Sequence, residues 1–258
     1  MDTPEARARR IFGERAAFYT TSATHKDPEV LARVVGLAVG DAPRPDWRAL
    51  DVATGTGHTA FALAPYVGSV VASDLTREML DQARRLARAQ GIGNVALCLA
   101  DVHALPFPTG AFHVVVSRRA PHHFSDIERA LREMRRALAP GGRLVIDDRS
   151  VPEEAFVDAT MNRLDWLHDE SHVRQYSPAA WRAMLEALGF VVEAVEPYTQ
   201  HRPLASLTEG VSPGNVAQIH AILDGLDAAQ RAAFNLVEKD GGLYLNHWYV
   251  TVAARRGL

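Results

Sequence analysis

The chain has 258 residues, of which 47% are hydrophobic and 23% charged, with a formal net charge of −3 and one cysteine, Cys98. This size and composition favour one domain over residues 1–258, and the small negative charge offers no general attraction to nucleic-acid phosphates or anionic membranes. A disulfide within the chain is excluded, and the lack of an apolar run of about 20 residues or of a signal-peptide core predicts a cytoplasmic protein.

The amino-terminal residues carry aromatic and polar side chains at helical spacing. In the run FGERAAFYTTSATHKD, Tyr19, Ser22 and His25 recur every third residue, so one helix would place them on one face. That face could close over a ligand, or its aromatic residues could simply pack on the domain, as aromatic residues at this spacing usually do.

An apolar strand then runs directly into a glycine turn and a helix, in the segment RALDVATGTGHTAFA. Asp51 closes the strand, and Gly55 and Gly57 allow a tight turn and close approach to a ligand. A helix from His58 to Tyr66 would point its free N–H groups at that loop. The letters GTGHTA also match the dinucleotide fingerprint G-x-G-x-x-A, but such a turn by itself occurs in many α/β proteins.

Two further strands end in carboxylates. The run SVVASD ends at Asp74, about 20 residues beyond the first glycine, where an acid can accept the ribose hydroxyls of NAD or of S-adenosylmethionine. A helix over 76–90 follows, and the strand NVALCLA leads to Asp101. Each acid alone could be a solvated turn residue. Three acids at the carboxyl ends of consecutive strands predict a ligand site at that edge of a sheet.

The remaining segments continue the alternation of helix and strand. Ser125 and Glu128 form a capping box for a helix to Leu138, and RLVIDD is the fifth strand. A helical insertion is expected over 150–172, followed by a helix in SPAAWRAMLEALG and a strand in FVVEAVE. A pair of short helices is expected over 200–240, before a closing strand in LYLNHWYVTVAA.

Five runs resemble the class I S-adenosylmethionine-dependent methyltransferases, in particular the small-molecule group that includes the ubiquinone/menaquinone-biosynthesis methyltransferases. These runs are LDVATGTGHTA, SDLTREML, DVHALPFPTGAFHVVVS, HHF and LREMRRALAPGGRLVI, in the family's order. The resemblance implies an α/β, doubly wound (Rossmann-like) seven-stranded sheet, mostly parallel with the last strand antiparallel, plus a helical cap. It implies a cap at 1–40, a cofactor-binding half at 46–148 and a substrate-side half at 149–258. His113 departs from the family, which usually has a structural acid there.

The resemblance also implies the cofactor, S-adenosyl-L-methionine, and its binding residues. Asp51 and the Gly55–Gly57 loop would hold its amino-acid end, Asp74 its ribose, Leu75 or Met79 the adenine face, and Asp101 with Val102 the adenine edge. Four further residues complete the expected cofactor set: Tyr19, His25, Ser117 and, in the glycine loop, Ala53.

The methyl acceptor is expected beside the loop SRRAPHHFSD, where we choose His122 as the general base. A histidine can accept a phenolic or enolic proton at neutral pH. Neighbours in an extended loop point to opposite sides, so only one of His122 and His123 should reach the acceptor; a structural role for either stays open. The other expected substrate residues are Arg118, Asp148, Arg149, His172 and Arg174. His168 and His172 could share a helix face as metal ligands, but no third ligand is evident and no metal is expected.

The sequence therefore predicts a methyltransferase that acts on a small molecule by in-line O- or C-methylation. A partly aromatic or quinone-like acceptor could stack on Trp166, Tyr176 or Trp248. Two alternatives stay open: a catalytically silent cofactor-binding partner protein, and an NAD-dependent oxidoreductase. The latter needs a Tyr-x-x-x-Lys pair, and neither Lys26 nor Lys239 follows a tyrosine at that spacing. We expect no nucleic-acid or membrane partner, and a homodimer is possible.

Overall fold

The computed structural model describes residues 3–22, 24–239 and 241–257. Residues 1, 2 and 23 of the predicted cap, and residues 240 and 258 of the predicted second half, lie outside these ranges. The strands are β1 Arg44–Val52, β2 Val67–Asp74, β3 Val95–Leu99, β4 Phe112–Arg118, β5 Leu138–Ser150, β6 Phe190–Pro203, β7 Val237–Lys239 and β8 Gly242–Arg256. The helices are α1 Pro4–Tyr19, α2 Pro28–Val39, α3 His58–Leu63, α4 Arg77–Ala89, α5 Ile127–Ala137, α6 Ala155–His168, α7 Pro178–Ala187, α8 Ala205–Thr208, α9 Pro213–Asp224 and α10 Ala228–Ala233.

One sheet contains all the strands, in the order β3-β2-β1-β4-β5-β8-β6, with β7 added to β8. The pairs among β1 to β5 are parallel, whereas β8 runs antiparallel to β5 and β6. The predicted doubly wound, mostly parallel sheet with an antiparallel last strand is confirmed. The strand order reverses between β1 and β4, and in open α/β sheets the crevice outside the carboxyl ends at such a point binds ligands.

The central strands are buried on both faces, as parallel strands covered by helices must be. Val114, Val115 and Val116 of β4 are fully buried. One face packs against α5 and α7 through Met134 and Trp181, and the other packs against α2 and α3. A third apolar cluster, made mainly by α6, α8, α9 and β8, lies apart from these two.

Local details differ from the sequence predictions in three places. The capping box at Ser125 is wrong: Asp126 is the N-cap of α5 and accepts from the N–H of Arg129, while the Ser125 hydroxyl donates to Glu5 of α1. The fifth strand begins at Leu138, before the Pro-Gly-Gly run. The segment 200–240 holds three helices and the short strand β7 rather than a pair of helices.

His113, the departure from the family pattern, lies at the start of β4 and therefore at the sheet edge opposite the crevice. Its ring stacks on Trp47 with centroids 5.8 Å apart, and its Nδ1 accepts from the N–H of Arg48 at 3.0 Å. His113 therefore has a structural role at this edge of the sheet. In the described ranges, none of the helices combines the length and apolar character that a membrane span requires.

Candidate active site

The turn between β1 and α3 forms the centre of the site. Its backbone enters the left-handed region three times, at Ala53 with φ 54°, Gly55 with φ 56° and Gly57 with φ 95°. The two glycines serve different purposes. A Cβ at Gly55 would meet no protein atom within 4 Å, so that position faces open space, whereas a Cβ at Gly57 would lie 2.4 Å from the ring of Phe61. Ala53 is strained, which is common at functional sites.

Gly57→Ala is expected to destabilise the fold by about 2–4 kcal/mol, because it adds a left-handed alanine and overpacks Phe61. Urea unfolding followed by circular dichroism measures the change. Gly93→Ala is the matched control, since a Cβ there meets nothing within 4 Å and its φ is not positive. Equal midpoints for the two variants would show that Gly57 is not needed for packing.

The acids at the strand ends organise this turn. Asp74 accepts from the N–H of Gly55 and from the N–H of Thr76, both at 2.8 Å and on different carboxylate oxygens. Asp51 accepts from the hydroxyl of Thr54 at 2.5 Å, and burial raises its pKa to about 7. Burial also raises the pKa of Asp74. Each oxygen of Asp74 keeps a second lone pair, so ligand hydroxyls can still bind there.

A first cavity of about 120 Å³ opens beside the turn. Its wall includes ten of the predicted cofactor residues: Tyr19, His25, Asp51, Ala53, Gly55, Asp74, Leu75, Met79, Asp101 and Val102. Gly57 and Ser117 are not part of this wall. The buried Ser117 hydroxyl donates to the carbonyl of Val52 at 3.0 Å instead. At the far end, Asp101 accepts both the N–H and Nδ1–H of His103 on one oxygen, which leaves the other oxygen for a ligand donor.

Arg118, predicted to bind the substrate, instead lines the first cavity. Its Nε donates to the hydroxyl of Thr59 at 2.9 Å, and its Nη2 donates to the carbonyl of His25. Its Nη1 is buried and has no hydrogen-bond partner in the described part of the chain. This nitrogen is therefore a donor available to an anion near the glycine turn.

The cap lies on the turn, but not as one continuous helix. Helix α1 ends at Tyr19, because the hydroxyls of Thr20 and Thr21 donate to carbonyls of its last turn. The prediction that Tyr19, Ser22 and His25 share a helix face is therefore wrong. They still meet: the Tyr19 and His25 rings lie 4.9 Å apart, and Ser22 Oγ is 2.9 Å from His25 Nδ1.

A second cavity, of about 510 Å³, adjoins the first. Five residues line both cavities: Phe12, Tyr19, His25, Arg119 and His123. Of the predicted substrate residues, His122, Arg149 and His172 line the second cavity. Arg174 does not; it is paired with Asp158 at 2.6 Å on the surface.

His122 is held by Asp148, which lies behind it and lines neither cavity. The N–H of His122 donates to Asp148 at 2.8 Å, and the ring Nδ1 lies 2.6 Å from the other carboxylate oxygen. Burial lowers the pKa of His122 well below 6.5 and raises that of Asp148 to about 7. When the carboxylate is ionised, it accepts the Nδ1 proton, and Nε2 is left with a free lone pair.

His123 also reaches the site, so the expectation that only one of the two histidines can do so is wrong. Residues 121–123 form a 3-10 turn and not an extended loop, and the two imidazole rings lie 4.0 Å apart. His123 Nδ1 lies 3.0 Å from the hydroxyl of Ser171, which donates to Asp169 at 2.6 Å.

Two further possibilities that the sequence raised, a shared helix face for His168 and His172 and an acceptor stacked on Trp166, Tyr176 or Trp248, do not agree with the structure. Helix α6 ends at His168, so His168 and His172 do not share a helix face. Within the described ranges, no group of three or more histidine, cysteine or acidic side chains could hold a metal ion. Trp166, Tyr176 and Trp248 line neither cavity; the two tryptophans pack against the third apolar cluster.

Arg119, in the loop where the acceptor is expected, lines both cavities. The sequence did not indicate three other residues of the second cavity, which come from distant strands and helices: Asp165, Arg202 and Tyr249. No local pattern marks these three.

The comparisons with known proteins agree with this geometry. Residues 49–142 match the family described as "Methyltransferase domain". The chain is 38% identical over 173 residues to a Bacillus subtilis protein named "Uncharacterized methyltransferase YcgJ". The aligned residues cover 66% of this chain and 68% of that protein. The chain belongs to the S-adenosylmethionine-dependent methyltransferases.

Other members of this methyltransferase family resemble the chain over different lengths. The demethylmenaquinone methyltransferase of Thermus thermophilus is 47% identical over 116 residues, which span 44% of this chain and 51% of that protein. The crystal structure of Bacillus subtilis YcgJ has a TM-score of 0.81 at 29% identity and covers 88% of this chain and 99% of the other. A solved Bacillus halodurans protein has a TM-score of 0.83 at 30% identity, with the same coverage. The methyltransferase fold thus extends beyond the cofactor half.

Proposed function

We propose that this methyltransferase transfers a methyl group to a small-molecule acceptor bound in the second cavity. The observation that carries the proposal is the wall shared by the two cavities, to which Tyr19, His25 and His123 contribute. A volume of about 510 Å³ lies in the range of pockets for small ligands. The cap helix α1 and the helices α6 and α8 surround this space, which favours a small molecule over a polymer.

The side chains that line the first cavity match the chemical groups of S-adenosylmethionine. Asp74 can accept from the ribose hydroxyls, and Met79 with Leu75 offers an apolar surface for adenine. The unpartnered Nη1 of Arg118 lies in the wall beside Asp51 and suits the carboxylate at the amino-acid end. We therefore assign Arg118 to the cofactor rather than the acceptor. When bound, the cofactor would supply a methyl group on a cationic sulfur. A nucleophilic atom of the acceptor would bond to the methyl carbon in line with the leaving sulfur.

We propose that His122 is the general base for an acceptor that must lose a proton. Asp148 fixes the ring so that Nε2 can accept, and His122 lines the second cavity. His123 is held more weakly, through Ser171. The O- or C-methylation of a partly aromatic or quinone-like acceptor remains part of this proposal, although the second cavity has Tyr249 and Phe12 rather than tryptophan in its wall.

To test the proposal, the protein is incubated with radiolabelled S-adenosylmethionine and a cell extract. Ultrafiltration then separates the small molecules from the protein and RNA. A labelled low-molecular-weight product that chromatography separates from the unreacted cofactor is expected, and mass spectrometry identifies it. Label only in the protein or RNA fraction would contradict a small-molecule acceptor. Cofactor binding without transfer to any fraction would favour the silent partner protein. Binding of NAD in place of S-adenosylhomocysteine, measured by calorimetry, would favour an oxidoreductase.

Cofactor binding is expected to protect residues 3–30 from proteolysis. Tyr19 and His25 line both cavities, and their ring faces have more to pack against when the first cavity is filled. Limited trypsin digestion should cut this segment, which contains several arginines, more slowly when S-adenosylhomocysteine is present. Equal cleavage rates would contradict a closing role for the cap, and cleavage after the exposed Arg182 of α7 serves as the internal control.

A further inference from the structure

Three arginine side chains converge on Tyr249 in the second cavity. The Cζ of Arg119 lies 3.8 Å from the centre of the Tyr249 ring, and the Cζ of Arg149 lies 5.7 Å from it. Arg202 Nη1 donates to the Tyr249 hydroxyl at 3.4 Å. Burial raises the pKa of Tyr249, but Arg149, Arg119 and Arg202 outweigh that effect and lower it. Three guanidinium groups therefore surround one phenol side chain.

Some N–H groups of these arginines have no acceptor. Nη1 of Arg119 and Nε of Arg149 are buried and lack a hydrogen-bond partner in the part of the chain that the structure describes. The Nη2 of Arg119 donates to the hydroxyl of Tyr198 at 2.8 Å, and the carboxylate of Asp147 lies 3.3 Å from its Nε. Buried charged donors are costly without partners, so they indicate a place for an acceptor that comes from outside the chain.

Three carboxylates line the cavity, those of Asp165, Asp169 and Glu209, and the first already pairs with Arg149. Asp165 accepts two hydrogen bonds from the Nη2 of Arg149 at 2.7 and 2.8 Å. Asp169 accepts from the N–H and the hydroxyl of Ser171. Glu209 is exposed. None of the ion pairs in the described ranges involves Arg202, which makes it a cation without a protein counter-ion.

The backbone at Arg119 is also unusual. Its φ of 55° lies in the left-handed region that non-glycine residues rarely adopt. The N–H of Arg119 donates to the carbonyl of Asp147 at 2.8 Å, which fixes this conformation. Strain of this kind is typical of residues held for function. With this backbone conformation, Arg119 lies in the wall that both cavities share.

We propose that the methyl acceptor carries an oxyanion, a carboxylate or a phosphate, which Arg119, Arg149 and Arg202 bind in the second cavity. The inference rests on the proposed function, because it identifies the chemical class of the acceptor in that cavity. Guanidinium groups present parallel N–H donors that match the two oxygens of a carboxylate or phosphate. Because Arg119 borders the first cavity as well, the anion would be anchored beside the place of methyl transfer and would orient the reacting atom.

The test uses benzoate, phenylphosphonate and the neutral benzamide as probes of the protein saturated with S-adenosylhomocysteine. Ligand-observed NMR titrations measure each dissociation constant. We expect at least one of the two anions to bind about tenfold more tightly than benzamide. The tighter of the two distinguishes a carboxylate from a phosphate.

Two variants test the arginines without leaving a buried carboxylate unpaired. Arg202→Met removes a cation that forms no ion pair with the described residues, and Arg119→Lys keeps a charge beside Asp147 but removes the parallel N–H donors of the guanidinium group. Each should reduce the preference for the anion several-fold. Arg182→Met, on the exposed face of α7, is the control and should keep the wild-type preference.

Equal binding of anions and benzamide to the wild type, or an unchanged preference in both arginine variants, would overturn the oxyanion site. The affinity for S-adenosylhomocysteine, measured on the same samples, separates this failure from a failure of the proposed function. Intact cofactor binding without anion preference contradicts only the oxyanion site. Loss of both contradicts the proposed arrangement of the two cavities.

Discussion

His122→Ala is expected to lower kcat by about 10²–10⁴ while the affinity for S-adenosylhomocysteine stays nearly unchanged, because the variant removes the proposed base and leaves the first cavity intact. The measurement uses the acceptor that the radiolabel experiment identifies. His122→Asn is the sharper variant, since its amide can still donate to Asp148 but has no atom at the position of Nε2. His220→Ala, on the exposed surface of α9, is the control.

The pH dependence of the rate follows from the same pair. Burial raises the pKa of Asp148 to about 7 and lowers that of His122, and the two groups share one short hydrogen bond. One added proton removes the free lone pair of Nε2, whichever of the two groups carries it. The rate of methyl transfer should therefore be highest above pH 7 and should fall as the pH drops through about 7. The His122 variants should lack this acidic limb.

Two results would contradict the assignment of the base. Wild-type turnover in the His122 variants, with the acidic limb retained, would favour catalysis by positioning alone. A large loss of kcat in His123→Ala with little change in the His122 variants would move the role to His123, which lies in the wall between the cavities.

Asp74→Ala is expected to weaken S-adenosylmethionine binding by about 1.5–3 kcal/mol, or roughly ten- to a hundredfold. The variant removes a charged acceptor for the ribose and also releases the N–H groups of Gly55 and Thr76, which shape the turn. Calorimetry with S-adenosylhomocysteine measures the effect. Asp81→Ala is the matched control on α4, where the carboxylate pairs with the exposed Arg84.

Urea unfolding of the Asp74 variant separates a binding defect from a folding defect. A folded variant with wild-type affinity would contradict the assignment of Asp74 to the ribose. Partial recovery in Asp74→Asn, whose amide oxygen can still accept one N–H, would indicate that part of the loss comes from the turn and not from the ribose contact.

The cofactor half could be predicted from the sequence because its signals are local. A buried parallel strand appears as a short β-branched run, and the residue that follows its carboxyl end lies at the crevice in any doubly wound sheet. Asp51, Asp74 and Asp101 follow such runs, and the structure places all three in the wall of one cavity. The turn at Gly55 is equally local. Even there, the sequence could not tell that Gly57 packs against Phe61 instead of facing the cavity.

The sequence alone thus determined the fold class, the strand-end acids and the glycine turn, since each depends on neighbours along the chain. Tertiary structure alone decided the acceptor side. Arg118 and Arg119 are adjacent, yet only Arg119 reaches the second cavity, because a left-handed φ redirects the chain after β4. Arg202 and Tyr249 meet only because β6 and β8 pair antiparallel. Contacts between such distant residues depend on strand order and helix placement, which leave no periodic trace in the sequence.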